Sequence, residues 1–243
     1  MRKRHRKLYM DICFYSLAFC SCILFMVLMA NAYGTIDNYA CMNGSGKLPL
    51  IVIDAGHGGE DGGAQSADGI LEKDINLLVA KGLNSLLKVS GFETRMIREE
   101  DISIYDDNAG TTRQKKLSDL NNRVKIINEN PNAILISIHQ NKFTDSKYYG
   151  SQMFYATNMP ESRQLAEAMK KSFVGLLQPD NTREIKPAGK EIFLLRKSTI
   201  PSVIIECGFL SNEAEAAKLN TEEYQKQLAF AAYCGLMDYL NHK

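Results

Sequence analysis

The chain has no tryptophan and only four histidines among its 243 residues. It also lacks a low-complexity tract and an internal repeat. Cysteine is too scarce and too scattered for a disulfide framework. Cys13, Cys20 and Cys22 fall in one apolar run, which leaves Cys41, Cys207 and Cys234, an odd number at wide spacing. A small disulfide-stapled scaffold is thereby excluded, and Cys207 and Cys234 read as small buried hydrophobes. Basic charge is sparse outside the first seven positions. Five basic residues stand there, and the other 236 residues carry 24 basic against 28 acidic side chains, a net charge of −4. That balance carries no nucleic-acid footprint. The glycines around His57 are followed by neither a Lys-Ser/Thr pair nor a third spaced glycine, so the P-loop and dinucleotide patterns both fail. What remains, 45% apolar and 23% charged, is the composition of one globular domain with extra segments.

The first extra segment is N-terminal. Arg2, Lys3, Arg4, Arg6 and Lys7 form a basic flank, and residues 12–32 are almost wholly apolar. The run is longer than a usual signal-peptide core and approaches the roughly 20 residues that span a bilayer. Ala30-Asn-Ala32 offers a small-residue cleavage site. Residues 1–32 are thus expected to be a signal peptide or a signal-anchor, tied to the membrane in the second case. Either way the basic flank stays inside and the body lies outside the cytoplasm. Residues 33–46, rich in Gly, Ser and Asn, are expected to be a linker, and 47–243 the folded domain.

Strand and helix patterns alternate through that domain. Short apolar runs predict strands over 50–54, 92–97, 133–139, 151–155, 191–195 and 202–206. Helical spacing appears over 74–89, 117–130, 161–177 and 222–240. The expectation is a single three-layer α/β domain with a largely parallel mixed sheet flanked by helices.

Two of the four histidines close strands. His57 ends the run that begins at Leu48, and His139 ends Ala133-Ile-Leu-Ile-Ser-Ile. Ligands of open α/β sheets gather beyond the carboxyl ends of the strands. Two imidazoles delivered there can share a metal ion, and Glu72, just before a helix, is the best third ligand. Two histidines and one glutamate with an open fourth position form a known catalytic zinc (Zn2+) set. Taken alone, Glu72 also suits a carboxylate that stabilises a helix N-terminus, and His57 a surface residue on a tight turn. Glu206 ends the strand Ser202-Val-Ile-Ile and is the candidate proton shuttle of a zinc hydrolase, or else the salt-bridge partner of a buried Arg123. Asp54 or a backbone carbonyl is placed to take the second ring N–H of a ligating histidine. Asn141, Asn181, Arg183 and Lys186 are candidates for substrate binding, the last three as a polar cationic loop.

These residues fall in motifs that resemble a known family. Asp54-Ala-Gly-His-Gly-Gly, Glu72-Lys-Asp, Asp119-Leu-Asn-Asn-Arg123, Ser137-Ile-His-Gln-Asn141 and Glu206-Cys-Gly-Phe-Leu-Ser-Asn212 look like the zinc-dependent N-acetylmuramoyl-L-alanine amidases over roughly residues 48–240. Ser118-Asp-Leu-Asn-Asn-Arg, Gly150-Ser-Gln-Met-Phe-Tyr and Asn181-Thr-Arg followed by Lys186 resemble the germination-specific, spore-cortex branch. Ala55 departs from the family, which usually has Pro there. The resemblance implies zinc on His57, Glu72 and His139, with Glu206 catalytic. It implies cleavage of the lactyl–L-Ala amide of peptidoglycan, in the space around the forespore, as a step toward muramic-δ-lactam. The family's long autoinhibitory insertion is absent, since 11 residues separate His139 from Ser151. Restraint is then expected from elsewhere, an activating extracytoplasmic protein partner included. Two other functions share these residues: a different extracytoplasmic zinc hydrolase, peptidase or deacetylase, and a non-catalytic wall-binding protein.

Overall fold

The computed structural model describes residues 48–242, so the leader and linker expected over 1–46 lie outside the described residues. The fold is built on strands apolar on both faces. β1 (Leu50–Ala55) pairs in parallel with β3 (Ala133–Asn141), from Leu50 opposite Ala133 to Ala55 opposite Ile138. β6 (Ser202–Phe209) lies parallel on the other side of β3, with His139 opposite Glu206. β2 (Thr94–Met96) extends the sheet beyond β1. On the far side, β4 (Gln152–Tyr155) runs antiparallel to β6 and carries β5 (Lys186–Pro187) in parallel. The resulting order is β2-β1-β3-β6-β4-β5. It is the α/β domain with a largely parallel mixed sheet that the alternating pattern predicts.

Side chains alternate across each strand, so each strand feeds two cores. Val52, Leu135 and Ile204 pack with Ile127 of α2 (Thr112–Ile127) and with Leu194 and Leu195 of α4 (Phe193–Lys197). Ile51, Ile53 and Ile136 alternate with them, which turns them to the other face. The remaining long helices are α1 (Glu72–Val89), α3 (Glu161–Leu176) and α6 (Glu222–Asn241), with α6 packed against both others. Leu135 is fully buried at the centre of the sheet. Leu135→Ala is expected to cost about 2–5 kcal/mol, the lost transfer energy plus the cavity left behind.

Three expectations need correction. Residues 191–195 are not a strand: Phe193–Lys197 is the short helix α4. A brief apolar run does not distinguish the two, and here the adjacent Leu194 and Leu195 are both buried in one cluster, which a strand's alternation forbids. Helix α2 begins at Thr112 rather than 117, because Thr111 and Gln114 form a reciprocal capping box. A further helix, α5 (Glu213–Leu219), stands where none was read, although Asn212 accepts from Glu215 N–H in the usual N-cap manner. Among the described residues no helix is long and apolar enough to cross a membrane.

Candidate active site

The site lies where the parallel strands β1, β3 and β6 end together. After β1 the chain turns sharply through Gly56, His57, Gly58 and Gly59. His57 has a φ of 62°, which makes it the positive-φ non-glycine residue among those described. Such a conformation costs on the order of 1–3 kcal/mol and persists only where surrounding contacts impose it. Two buried arginines impose it here. Arg98 donates from Nε to the Ala55 carbonyl at 2.9 Å and from Nη2 to Gly56 at 3.1 Å. Arg123 donates from Nη1 to Ala55 at 3.0 Å and from Nη2 to the His57 carbonyl at 2.7 Å. The Asp54 carboxylate, itself fully buried, accepts from Arg123 Nη1 and from Ser137 Oγ, each at 2.6 Å. Burial disfavours its charge, but Arg123, His139 and Ser137 together outweigh that and hold its pKa below the ordinary value. Asp54 therefore serves the Arg123 clamp and is not hydrogen-bonded to a histidine. Arg123 pairs with Asp54 and Asp119 and not with Glu206.

Glu72 opens α1 and is buried. Its Oε1 lies 2.9 Å from His139 Nδ1 and accepts the Gln140 N–H at 3.0 Å. Its Oε2 accepts the Ala64 N–H at 2.7 Å and lies 3.3 Å from His57 Nε2. The two imidazoles meet edge to face, with ring centroids 5.1 Å apart. One ligand-type atom from each of His57, Glu72 and His139 falls within 4.8 Å of the others. The backbone around them leaves no spare room. A Cβ on Gly56 would stand 2.2 Å from the His139 ring, and one on Gly63 would stand 2.6 Å from Glu72 Oε2. Burial opposes the carboxylate charge of Glu72, yet the two histidines hold its pKa far below the ordinary value. Burial likewise opposes protonation of His57, and Asp61 and Glu72 overcome it, raising the His57 pKa to about 9. An acid flanked by two bases in this way is a cation-seeking cluster. Its donor chemistry and spacing fit a divalent zinc ion.

Glu206 stands beside the cluster, opposite His139 in the β3–β6 register. Its Oε2 is shielded from solvent and has no hydrogen-bond partner among the described residues. Burial, reinforced by the Glu72 charge, pushes its pKa up to about 7. A carboxyl poised near neutrality can both take and give a proton. A cavity of about 220 Å³ opens from this centre, lined by Gly56, His57, His139, Tyr105, Lys115 and Leu194 among others.

The candidate substrate residues are placed differently. Asn141 ends β3, two residues past His139, and its carbonyl accepts the Leu210 N–H at 2.8 Å. Asn181 is buried, and its Nδ2 donates to the Ser151 carbonyl at 2.9 Å and to Gln178 Oε1 at 3.0 Å. Arg183 donates from Nε to the Tyr149 carbonyl at 2.9 Å, and its guanidinium lies 4.5 Å from the Phe209 ring centroid. Lys186 is exposed on β5 at the sheet edge. None of the four lines the cavity at the centre. Sequence reasoning missed Asp61, whose Oδ2 comes within 3.0 Å of His57 Nδ1. It also missed Arg98, since nothing local marks an arginine that will be buried. A carboxylate four residues past a turn histidine was the one signal for Asp61.

Comparison with known proteins agrees with this arrangement. The family model for N-acetylmuramoyl-L-alanine amidase matches residues 51–238. The solved CwlD amidase from Clostridioides difficile, in complex with the GerS lipoprotein, is 43% identical, with a TM-score of 0.77 over 80% of this chain and 100% of that one. The germination-specific N-acetylmuramoyl-L-alanine amidase of Bacillus subtilis is 36% identical over 199 residues, 82% of each chain. The amidase AmiC2 of Nostoc punctiforme shares the fold at 29% identity, with a TM-score of 0.67 over 79% of this chain and 97% of that one. With the paired strand-end histidines, Glu72 between them and a family match that spans nearly the whole described domain, the chain belongs to the N-acetylmuramoyl-L-alanine amidases.

Proposed function

We propose that this chain hydrolyses the amide between the lactyl group of N-acetylmuramic acid and L-Ala, using zinc held by His57, Glu72 and His139. The observation that carries the reading is the convergence of those three side chains within 4.8 Å, beside the unpartnered carboxyl of Glu206. When bound, the ion supplies Lewis-acid polarisation of the scissile carbonyl and makes a water acidic enough to attack near neutral pH. Glu206 takes the proton of the attacking water and passes it to the leaving nitrogen of L-Ala. The water oxygen bonds to the carbonyl carbon, the amide C–N bond breaks, and the lactyl carboxylic acid and the free amine of L-Ala leave, the acid then giving up its proton to solvent or to the amine. In the metal-free protein burial already raises the Glu206 pKa to about 7, toward the range in which a carboxyl can both take and give a proton. Arg98 and Arg123 keep the His57 turn in its strained form. Asn141 faces the substrate beside His139. Arg183 anchors the neighbouring loop, and Asn181 supports Arg183 by accepting its backbone N–H at 3.0 Å. Lys186 meets the glycan or its stem peptide only where these run past the sheet edge.

The biological setting belongs to the same proposal. The likeness to the germination-specific and CwlD amidases supports spore-cortex glycan as the substrate. Removal of the stem peptide would then prepare muramic acid for δ-lactam closure by a separate deacetylase. Residues 1–32 act as signal peptide or signal-anchor, 33–46 as linker and 47–243 as catalytic domain, which places the domain outside the cytoplasm. The GerS lipoprotein bound to the C. difficile amidase supports an extracytoplasmic protein partner here too. Mass analysis of spore-type peptidoglycan digested by the purified protein with zinc tests the reading. Peptides with a free L-Ala amino terminus and glycan with intact muramic acid are expected. Cuts within the stem peptide, or lost N-acetyl groups, would make the chain a different zinc hydrolase. Binding without any cleavage would make it a wall-binding protein.

A further inference from the structure

One buried amide outside the ligand set touches the surroundings of all three ligands. Asn76 is fully buried on α1, four residues past Glu72 and so on the same helix face. Its Nδ2 donates to the Gly56 carbonyl at 3.1 Å and to Glu72 Oε1 at 3.3 Å. Its Oδ1 accepts from Gln140 Nε2 at 3.1 Å. The amide orientation follows from these partners, because the nitrogen meets two acceptors and the oxygen meets a donor. Gly56 precedes His57 and Gln140 follows His139. A single side chain thus ties together β1, α1 and β3, each of which delivers one ligand. Gln140 adds a second tie, since its backbone N–H donates to the same Glu72 oxygen at 3.0 Å.

We infer that Asn76, braced by Gln140, is a positioning residue that sets the mutual spacing of His57, Glu72 and His139 and so raises the affinity for zinc. The inference rests on the zinc reading above. Removal of Asn76 leaves the individual contacts largely in place. The Gly56 carbonyl keeps Arg98 Nη2, and Glu72 keeps His139, Gln140 N–H and Ala64 N–H. What disappears is the one side chain that bridges all three elements at once. Ordering them is then a cost met on metal binding instead of beforehand. Partners that orient metal ligands typically contribute about 10–100-fold in affinity.

The test measures zinc dissociation constants of the full chain by competition with a chromophoric chelator. Wild type, Asn76→Ala, Gln140→Met and His139→Ala are compared, with melting of each metal-free form and the visible spectrum of each cobalt-substituted form. Asn76→Ala is expected to bind zinc about 10–100-fold more weakly and to shift the cobalt bands. If Asn76→Ala does not fold, Gln140→Met decides, because it keeps the backbone N–H to Glu72 and all of Asn76. Weakening of about 10-fold is expected there, the lower end of the same range. A folded Asn76→Ala, or failing that a folded Gln140→Met, with wild-type affinity and an unchanged cobalt spectrum overturns the inference, even if its metal-free form melts lower. His139→Ala separates the two levels. Loss of zinc in His139→Ala alone sinks only the role of Asn76, whereas wild-type affinity in His139→Ala sinks the ligand assignment and the inference with it.

Discussion

The centre of the sheet and its far edge use the same kinds of polar residue to different ends. At the centre, β1, β3 and β6 run parallel and finish side by side, with His57, His139 and Glu206 at their ends. Those side chains are held from behind but left open in front: Glu206 Oε2 has no partner among the described residues. At the edge, β4 and β5 lie beyond β6, and their polar neighbours are spent on the fold. Asn181 satisfies Ser151, Gln178 and the Arg183 N–H, and Gln152 donates to the Glu184 carbonyl. The difference teaches that residue type does not separate chemistry from structure. An unpartnered carboxyl oxygen beside a cluster of metal-ligand atoms is what marks the candidate site.

The comparison can be broken in four places. The largest effect is expected at the centre. Glu206→Gln should lower turnover by about 10²–10⁴-fold, the usual worth of a general acid–base, while zinc stays bound. Steady-state release of stem peptide together with metal analysis checks it, and loss of zinc would make Glu206 a ligand instead. Behind the centre, Arg123→Met should cost about 3–5 kcal/mol of unfolding free energy, because Asp54 is left buried with its charge uncompensated. Urea denaturation measures that, and a cost below about 1 kcal/mol would show that the clamp is dispensable. At the edge, Asn181→Ala should cost about 1–3 kcal/mol, the desolvation of partners left unmet, with zinc content unchanged. Metal loss in that variant would erase the distinction between the two regions.

The smallest effect is a pH dependence. Burial lowers the pKa of His57, but Asp61 and Glu72 carry it from 6.5 to about 9 in the metal-free protein. A raised folded-state value stabilises the fold at pH below the unfolded value and loses that contribution as pH rises through the folded one. The metal-free protein should therefore melt progressively lower from about pH 6.5 to beyond pH 9. Zinc requires the neutral imidazole, so the loaded protein should lack this decline. Parallel thermal melts across that range check the contrast, and equal slopes with and without zinc would contradict it.

How far the sequence reached follows the same division. The central strands were legible because parallel strands buried on both faces leave continuous apolar runs, and a histidine at the end of such a run stands out. Glu72 was legible only through its pairing with those histidines, since a carboxylate at a helix start has an ordinary explanation of its own. The contacts that hold the site in place were not legible. Arg98, Asn76 and Gln140 act through carbonyls and amides brought from distant parts of the chain, and no local pattern announces them. The helix at Phe193–Lys197 was misread because five apolar and basic residues carry no period. The edge loop read as a polar cationic surface, yet it turns Asn181 inward.

Zinc content per folded chain tests the account most directly. It should be measured after dialysis on wild type and on His57→Ala, Glu72→Ala and His139→Ala. About one zinc per wild-type chain is expected, with near-complete loss in each single variant, as for a three-ligand site with an open fourth position. Stoichiometric zinc retained by a folded Glu72→Ala protein would contradict the account, because the carboxylate on which both histidines converge would then not hold the ion.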